Sequence, residues 1–213
     1  MTLALPEWHV EPGLTGYLEA VATMDRQVAA IRDLSGPERI WLVEHPPLYT
    51  AGTSARVADL LEPSRLPVFA TGRGGQYTYH GPGQRVGYVM LDLATRGRDV
   101  RCFVDSLEHW LIAALKILGI DAFQSHGRVG IWTATPQGIA KIGAIGVRVR
   151  RWVTFHGFAL NVAPDLASFS GIIPCGLPDS RVTSLKALGN SATMAETDAA
   201  LKATFPAFLA ALH

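Results

Sequence analysis

Two long runs rich in apolar and β-branched residues, Ile139 to Val149 and Trp152 to Val162, follow a shorter one that begins at Gly130–Thr133. The Thr135-Pro136-Gln137-Gly138 segment has turn chemistry and reverses the chain into the first long run. Strands that succeed one another across tight turns pair antiparallel, so this stretch of the chain is committed to a sheet. Val86 to Leu93 (VGYVMLDL) is apolar nearly throughout and reads as a buried strand. Arg39 to Glu44 (RIWLVE) is a short strand stopped by Pro46 and Pro47, and Pro67 to Thr71 (PVFAT) another that leads into a glycine-rich stretch.

Helical spacing recurs in three places. Leu14, Leu18, Val21, Met24, Val28 and Ile31 predict a helix over 14–31. Phe103, Leu107, Leu111 and Leu115 form one stripe of a helix from about Val100 to Leu118, with Gly119 at its stop. Thr193 and Glu196 have capping-box spacing ahead of Leu201, Phe205, Phe208 and Leu212, and Pro206 predicts a kink or break there. Ala51 to Leu66 and the Gly- and Pro-punctuated DLASFSGIIPCGLPDS read as loops. A hairpin-rich strand order with helices at the start, middle and end predicts an α+β fold, helices covering one face of a mixed or antiparallel sheet. The 213 residues are expected to form a single domain, 1–213.

With 48% apolar and 17% charged residues, a continuous core is expected. A net charge of +1 argues against nucleic acid as a partner, so an acidic partner must be met by a local basic patch such as Arg148, Arg150 and Arg151. Two cysteines without CxxC spacing make neither a disulfide framework nor a zinc site, and no paired-histidine motif accompanies them. No metal and no cofactor is expected. MTLALPEWHVEPG lacks the layout of a signal peptide, and the apolar stretches are too short for a membrane span. A cytoplasmic protein with no membrane partner is the expectation.

Cys175, in Ile-Ile-Pro-Cys-Gly-Leu-Pro, is a thiol presented on a loop; it fits either a nucleophile or a small buried hydrophobe. Cys102, in the first turn of a helix, reads as structural. Lys141 lies in an otherwise apolar strand, where desolvation would lower its pKa toward the range useful for proton transfer, or else it faces solvent. A nearby thiolate would hold it as ammonium and be activated by it. Gly72 to Gln84 places glycines around one arginine and one histidine; it lacks the lysine of a phosphate-binding loop, and its composition suits a tight hairpin. His156 and Asn161 fall on a strand, where histidine is more often structural. A Cys–His pair with His80 or His156 is the remaining catalytic alternative.

Three blocks, RGGQYTYHGPGQRVGYVMLDL (73–93), KIGAIGVRVRRWVTFHGFALNVAPDL (141–166) and GIIPCGLPDSRVTSL (171–185), together resemble the octanoyltransferase family, also called lipoate–protein ligase B. Glu44-His45-Pro46-Pro47 and Tyr49-Thr50 fit as well, so the likeness runs from about residue 38 to 188. It implies the fold of the biotin and lipoate protein ligase catalytic domain. It also implies transfer of octanoyl from octanoyl-acyl carrier protein to a lysine of lipoyl domains, those of 2-oxoacid dehydrogenase complexes and the glycine cleavage H protein; a monomer is the expectation. Cys175 then corresponds to the family's nucleophile and Lys141 to its acid/base lysine. The acyl pocket would be lined by Arg73, Gly74, Gly75, Gln76, Tyr77, Thr78, Tyr79 and His80, by Ala144, Ile145 and Gly146, and by His156, Gly157, Phe158 and Ala159. The rival readings are an ATP-dependent lipoate or biotin ligase, which needs no thiol, and a non-catalytic acyl-carrier-binding module.

Overall fold

The structure is a computed structural model that describes residues 4–174 and 181–212. In chain order the elements are β1 (Glu7–Leu14), α1 (Tyr17–Arg32), β2 (Arg39–Glu44), β3 (Leu48–Ala51), β4 (Val68–Ala70), β5 (Tyr77–His80), β6 (Gln84–Met90), α2 (Val100–Ile117), β7 (Ala122–Ser125), β8 (Arg128–Thr135), β9 (Gly138–Arg150), β10 (Val153–Asn161), β11 (Arg181–Val182) and α3 (Met194–Ala210). The large sheet runs β1-β2-β6-β10-β9-β8-β7, with β11 paired to β9; β4-β3-β5 form a second, small sheet. Pairing is antiparallel except for β1 with β2, β3 with β4 and β11 with β9, so the fold is α+β on mixed sheets.

Helices cover both faces of the large sheet, not one. The reason is visible in the strands: β2 buries Ile40 to Val43 in succession and β6 is buried throughout, so side chains pointing to either face need a cover. Ala20, Met24, Val28 and Ile31 of α1 pack on Trp41, Val43, Tyr88 and Phe155 on one side. On the other, α2 and α3 pack on Ile40, Leu42, Val89, Phe158 and Leu160. The first face is the one that carries the site.

The Thr193–Glu196 capping box forms as expected, each side chain accepting from the other's backbone N–H. Pro206 does not break α3 into separate elements; Phe205 and Phe208 on either side of it pack on the ring of Trp110, with centroids 5.5 and 4.8 Å away. The half-buried Cys102 packs at the start of α2, its sulfur 3.7 Å from the Ala211 carbonyl oxygen.

Candidate functional site

A pocket opens between β5, β6, β9 and β10, beneath the 72–76 loop. Its floor is set by small residues: β9 contributes Ala144 and Gly146, and β10 contributes Gly157 and Ala159. Gly146 is required by close approach, since a Cβ there would sit 2.9 Å from the Cδ of Arg73 and 3.3 Å from the Gly74 carbonyl oxygen. The buried Arg73 guanidinium closes the loop onto itself and onto β3. It donates to the Gly74 and Gln76 carbonyls (2.9 Å each), the Thr50 carbonyl (2.9 Å) and the Thr50 hydroxyl (2.7 Å). Gly74 in turn donates its N–H to Val147 of β9 at 2.9 Å.

The histidines of the wall are neutral. Gln84 Nε2 donates to Asn161 Oδ1 (2.9 Å) and the Tyr79 carbonyl (3.2 Å), so its Oε1 accepts from His80 Nδ1 at 2.7 Å and the proton of that ring lies on Nδ1. Burial, reinforced by His45 and the Arg73 charge, pushes His80 down to about 3. His156 is held in mid-strand at φ 60°, in the left-handed region, and its ring lies 6.2 Å from that of Tyr88. Burial and the charges of Arg73 and Arg148 push it down to about 4. At the far end, His45 Nδ1 donates to the Thr15 carbonyl at 2.7 Å, which leaves Nε2 to accept from the Tyr88 hydroxyl at 2.6 Å. Tyr17 closes that end with its ring 5.5 Å from His45.

Thr78, Ala144 and Ala159 belong both to this pocket and to a second one, which contains Lys141, Asn161, Pro174 and Val182. Lys141 is buried; its Nζ donates to the Val129 carbonyl at 3.0 Å and lies 4.7 Å over the ring of Trp132. Backbone pairing fixes both flanks of this region. Before it, Ile173 donates to the Asp59 carbonyl at 2.8 Å; after it, Val182 pairs with Lys141, and Thr183 donates to the Lys141 carbonyl at 2.9 Å.

The lipoyl protein ligase A/B catalytic domain model matches residues 16–206. The chain belongs to this family. Among its relatives, a protein from Rhizorhabdus wittichii named octanoyltransferase is 64% identical over 207 residues, spanning 97% of this chain and 93% of its own. One of the same name from Sphingopyxis alaskensis is 62% identical, spanning 98% and 96%. The fold is that of a solved lipoate protein ligase from Thermoplasma acidophilum, with TM-score 0.71 at 16% identity, 97% of this chain and 85% of that one being covered.

For a lipoyl ligase A/B domain, the structure gathers most of the residues singled out in the sequence. Arg73, Gly75, Gln76, Tyr77, Thr78 and His80 line the pocket from one side, Ala144 to Gly146 and His156 to Ala159 from the other. Gly74 and Tyr79 are not in the lining. Tyr79 is buried in a cluster with Tyr49 and Phe169, its ring 5.2 Å from that of Phe169, and Gly74 meets the site through its backbone. Cys175 lies outside the described residues. Sequence reasoning overlooked Tyr17, Val86, Tyr88 and Trp132. Tyr17 comes from a helix whose periodicity spoke only of core, and Trp132 acquires its place through cross-strand pairing with Lys141.

Proposed function

We propose that this enzyme moves octanoyl from acyl carrier protein, through a thioester on Cys175, to a lysine of lipoyl domains such as those of 2-oxoacid dehydrogenase complexes and the glycine cleavage H protein. Octanoyl transfer itself accords with relatives 54–64% identical over nearly their whole length that carry that name. One observation supports the covalent route: Lys141 and Pro174, the residue before Cys175 in the chain, line one pocket that shares Thr78, Ala144 and Ala159 with the other.

In this reading Lys141 takes the proton of the Cys175 thiol, and the thiolate attacks the carrier thioester. The carrier sulfur leaves with the proton that Lys141 returns. The acceptor amine then attacks the new thioester, Lys141 takes its proton, and the Cys175 sulfur leaves and is reprotonated. His80 and His156, held down to about 3 and 4, are poor proton acceptors near neutrality, which weighs against a Cys–His pair. Neutral, they add no charge where an alkyl chain would lie; burying about six methylenes contributes at most roughly 5 kcal/mol.

Intact-mass analysis after mixing with octanoyl-acyl carrier protein, without ATP, tests the proposal. We expect one octanoyl added to the wild-type protein and none, or only a slow oxygen ester, in Cys175→Ser. Absence of any adduct on Cys175 would sink the covalent route.

A further inference from the structure

Five non-glycine residues have positive φ in the described chain: Leu34, Arg98, Arg151, Trp152 and His156. His156 belongs to the pocket. Three of the others meet at one place. Arg151 and Trp152 are the two central residues of the β9–β10 turn, with φ 50° and 69°, and the Arg98 guanidinium lies 5.9 Å over the Trp152 ring. A two-residue hairpin turn with both φ positive is the type that Asn-Gly fills without strain. An arginine and a tryptophan there cost folding energy and put a cation and an aromatic ring in solvent.

The charge around this turn is uncompensated. Arg98, Arg148, Arg150 and Arg151 are all exposed, and none has a carboxylate within ion-pair distance among the described residues. Asp33, which feels Arg151, is itself paired with Arg32 at 2.8 Å. The whole chain carries only +1, so the concentration is local. Its position relates it to the site: Ala144 and Gly146 line the pocket, and Arg148 and Arg150 continue at every second residue, on the same face of the sheet. Arg148 reaches the rim, where a Cβ on Gly72 would come within 2.4 Å of its Nη1.

We propose that this hairpin tip, with Arg98 and Arg148, is the docking surface for the acidic protein that delivers the acyl group as a thioester on a long flexible arm. This rests on the functional reading above. Distance favours the donor over the acceptor. Seven steps along β9 take the chain from Lys141 to Arg148, about 23 Å. An arm-borne thioester spans that, whereas an acceptor lysine has only its own side chain. Opposite charge at such a surface acts on encounter and orientation, and is screened by salt.

The test compares octanoyl-acyl carrier protein with octanoyl-pantetheine, which has the arm and no protein, in wild type and in Arg150→Glu/Arg151→Glu. Both positions are exposed and neither lines the pocket. We expect KM for the carrier-bound donor to rise about 10-fold or more and its dependence on ionic strength to flatten, with octanoyl-pantetheine unchanged. Arg150→Gln/Arg151→Gln should show a smaller shift in the same direction. Equal losses with both donors, or no loss with either, overturn the proposal. So does a rise in KM for the lipoyl domain alone, which would assign the surface to the acceptor. A wild-type protein that forms no acyl-enzyme from either donor would overturn the functional reading instead.

Discussion

The Lys141 side-chain nitrogen lies 4.7 Å above the ring of Trp132, its cross-strand partner, and donates to the carbonyl of Val129, three residues before Trp132 in the same strand. Both contacts orient the long side chain. Gly130 creates the room for it: at φ 125°, a Cβ there would stand 3.1 Å from both Cε and Nζ of Lys141 and 2.9 Å from the Gly143 carbonyl oxygen. Glu108 of α2 secures that glycine by accepting its N–H at 2.6 Å, while its other oxygen accepts from Gln124.

Gly130→Ala should thus act on chemistry more than on fold. The strained backbone costs on the order of 1–3 kcal/mol, visible as a modest drop in melting temperature. Turnover should fall much further, about 10-fold or more, because a displacement of around 1 Å in a reacting group is enough for that. Rapid-quench rates for both half-reactions beside a thermal melt decide it. A variant with a lowered melting point and full turnover would show that Lys141 needs no such positioning.

Much of this arrangement could be read in the sequence, and what could not has a physical pattern. Periodicity found α1 and α2, the capping box found the start of α3, and turn chemistry found the β8–β9 reversal, because each signal lies within a few residues of the feature it specifies. β1, β3 and β7 escaped: all are short or weakly patterned, and each is a strand only because a neighbour pairs with it. The second helical face was within reach, since the unbroken apolar runs of β2 and β6 imply cover on both sides. The Lys141–Trp132 stack and the closure of the pocket by Tyr17 were not, because both depend on register between distant segments.

The junction shared by the two pockets predicts a change of specificity. Ala144 lies on β9 between the Lys141 end and the Tyr17 end. Ala144→Leu fills that passage, and each methylene denied burial is worth about 0.8 kcal/mol, or roughly fourfold. We expect octanoyl transfer to fall relative to butanoyl or hexanoyl in direct competition between carrier thioesters. Unaltered chain-length preference would mean the acyl chain does not pass Ala144.

Acid should weaken the fold from an unusual starting point. His80 and His156 stay neutral when folded, at about 3 and 4, but take a proton near 6.5 once unfolded, and burial moves His45 in the same direction. The unfolded chain therefore binds more protons between those values, so their contribution to stability is complete above pH 6.5 and is lost as pH falls toward 4. Glu38 and Asp198, both raised by burial, oppose this only in the carboxylate range. Urea midpoints should accordingly decline between pH 7 and 5, and less steeply in His80→Gln. Parallel declines in the two proteins would remove His80 from this account.

The ion pair that ties α3 to β6 makes the sharpest prediction about stability. Arg85 donates to Asp198 in two parallel bonds of 2.7 and 2.8 Å, with the arginine 5% and the aspartate 15% exposed. Burial raises the pKa of Asp198 despite the arginine beside it, so attraction does not fully offset desolvation. Such a pair is costly to break and cheap to replace. Asp198→Ala leaves a guanidinium buried without its carboxylate and should cost about 3–5 kcal/mol. Arg85→Met/Asp198→Leu, which removes both charges and keeps the volume, should recover most of that loss. Denaturant unfolding of the two variants separates the cases: if the double variant is as unstable as the single one, the pair contributes net stability and the desolvation argument fails.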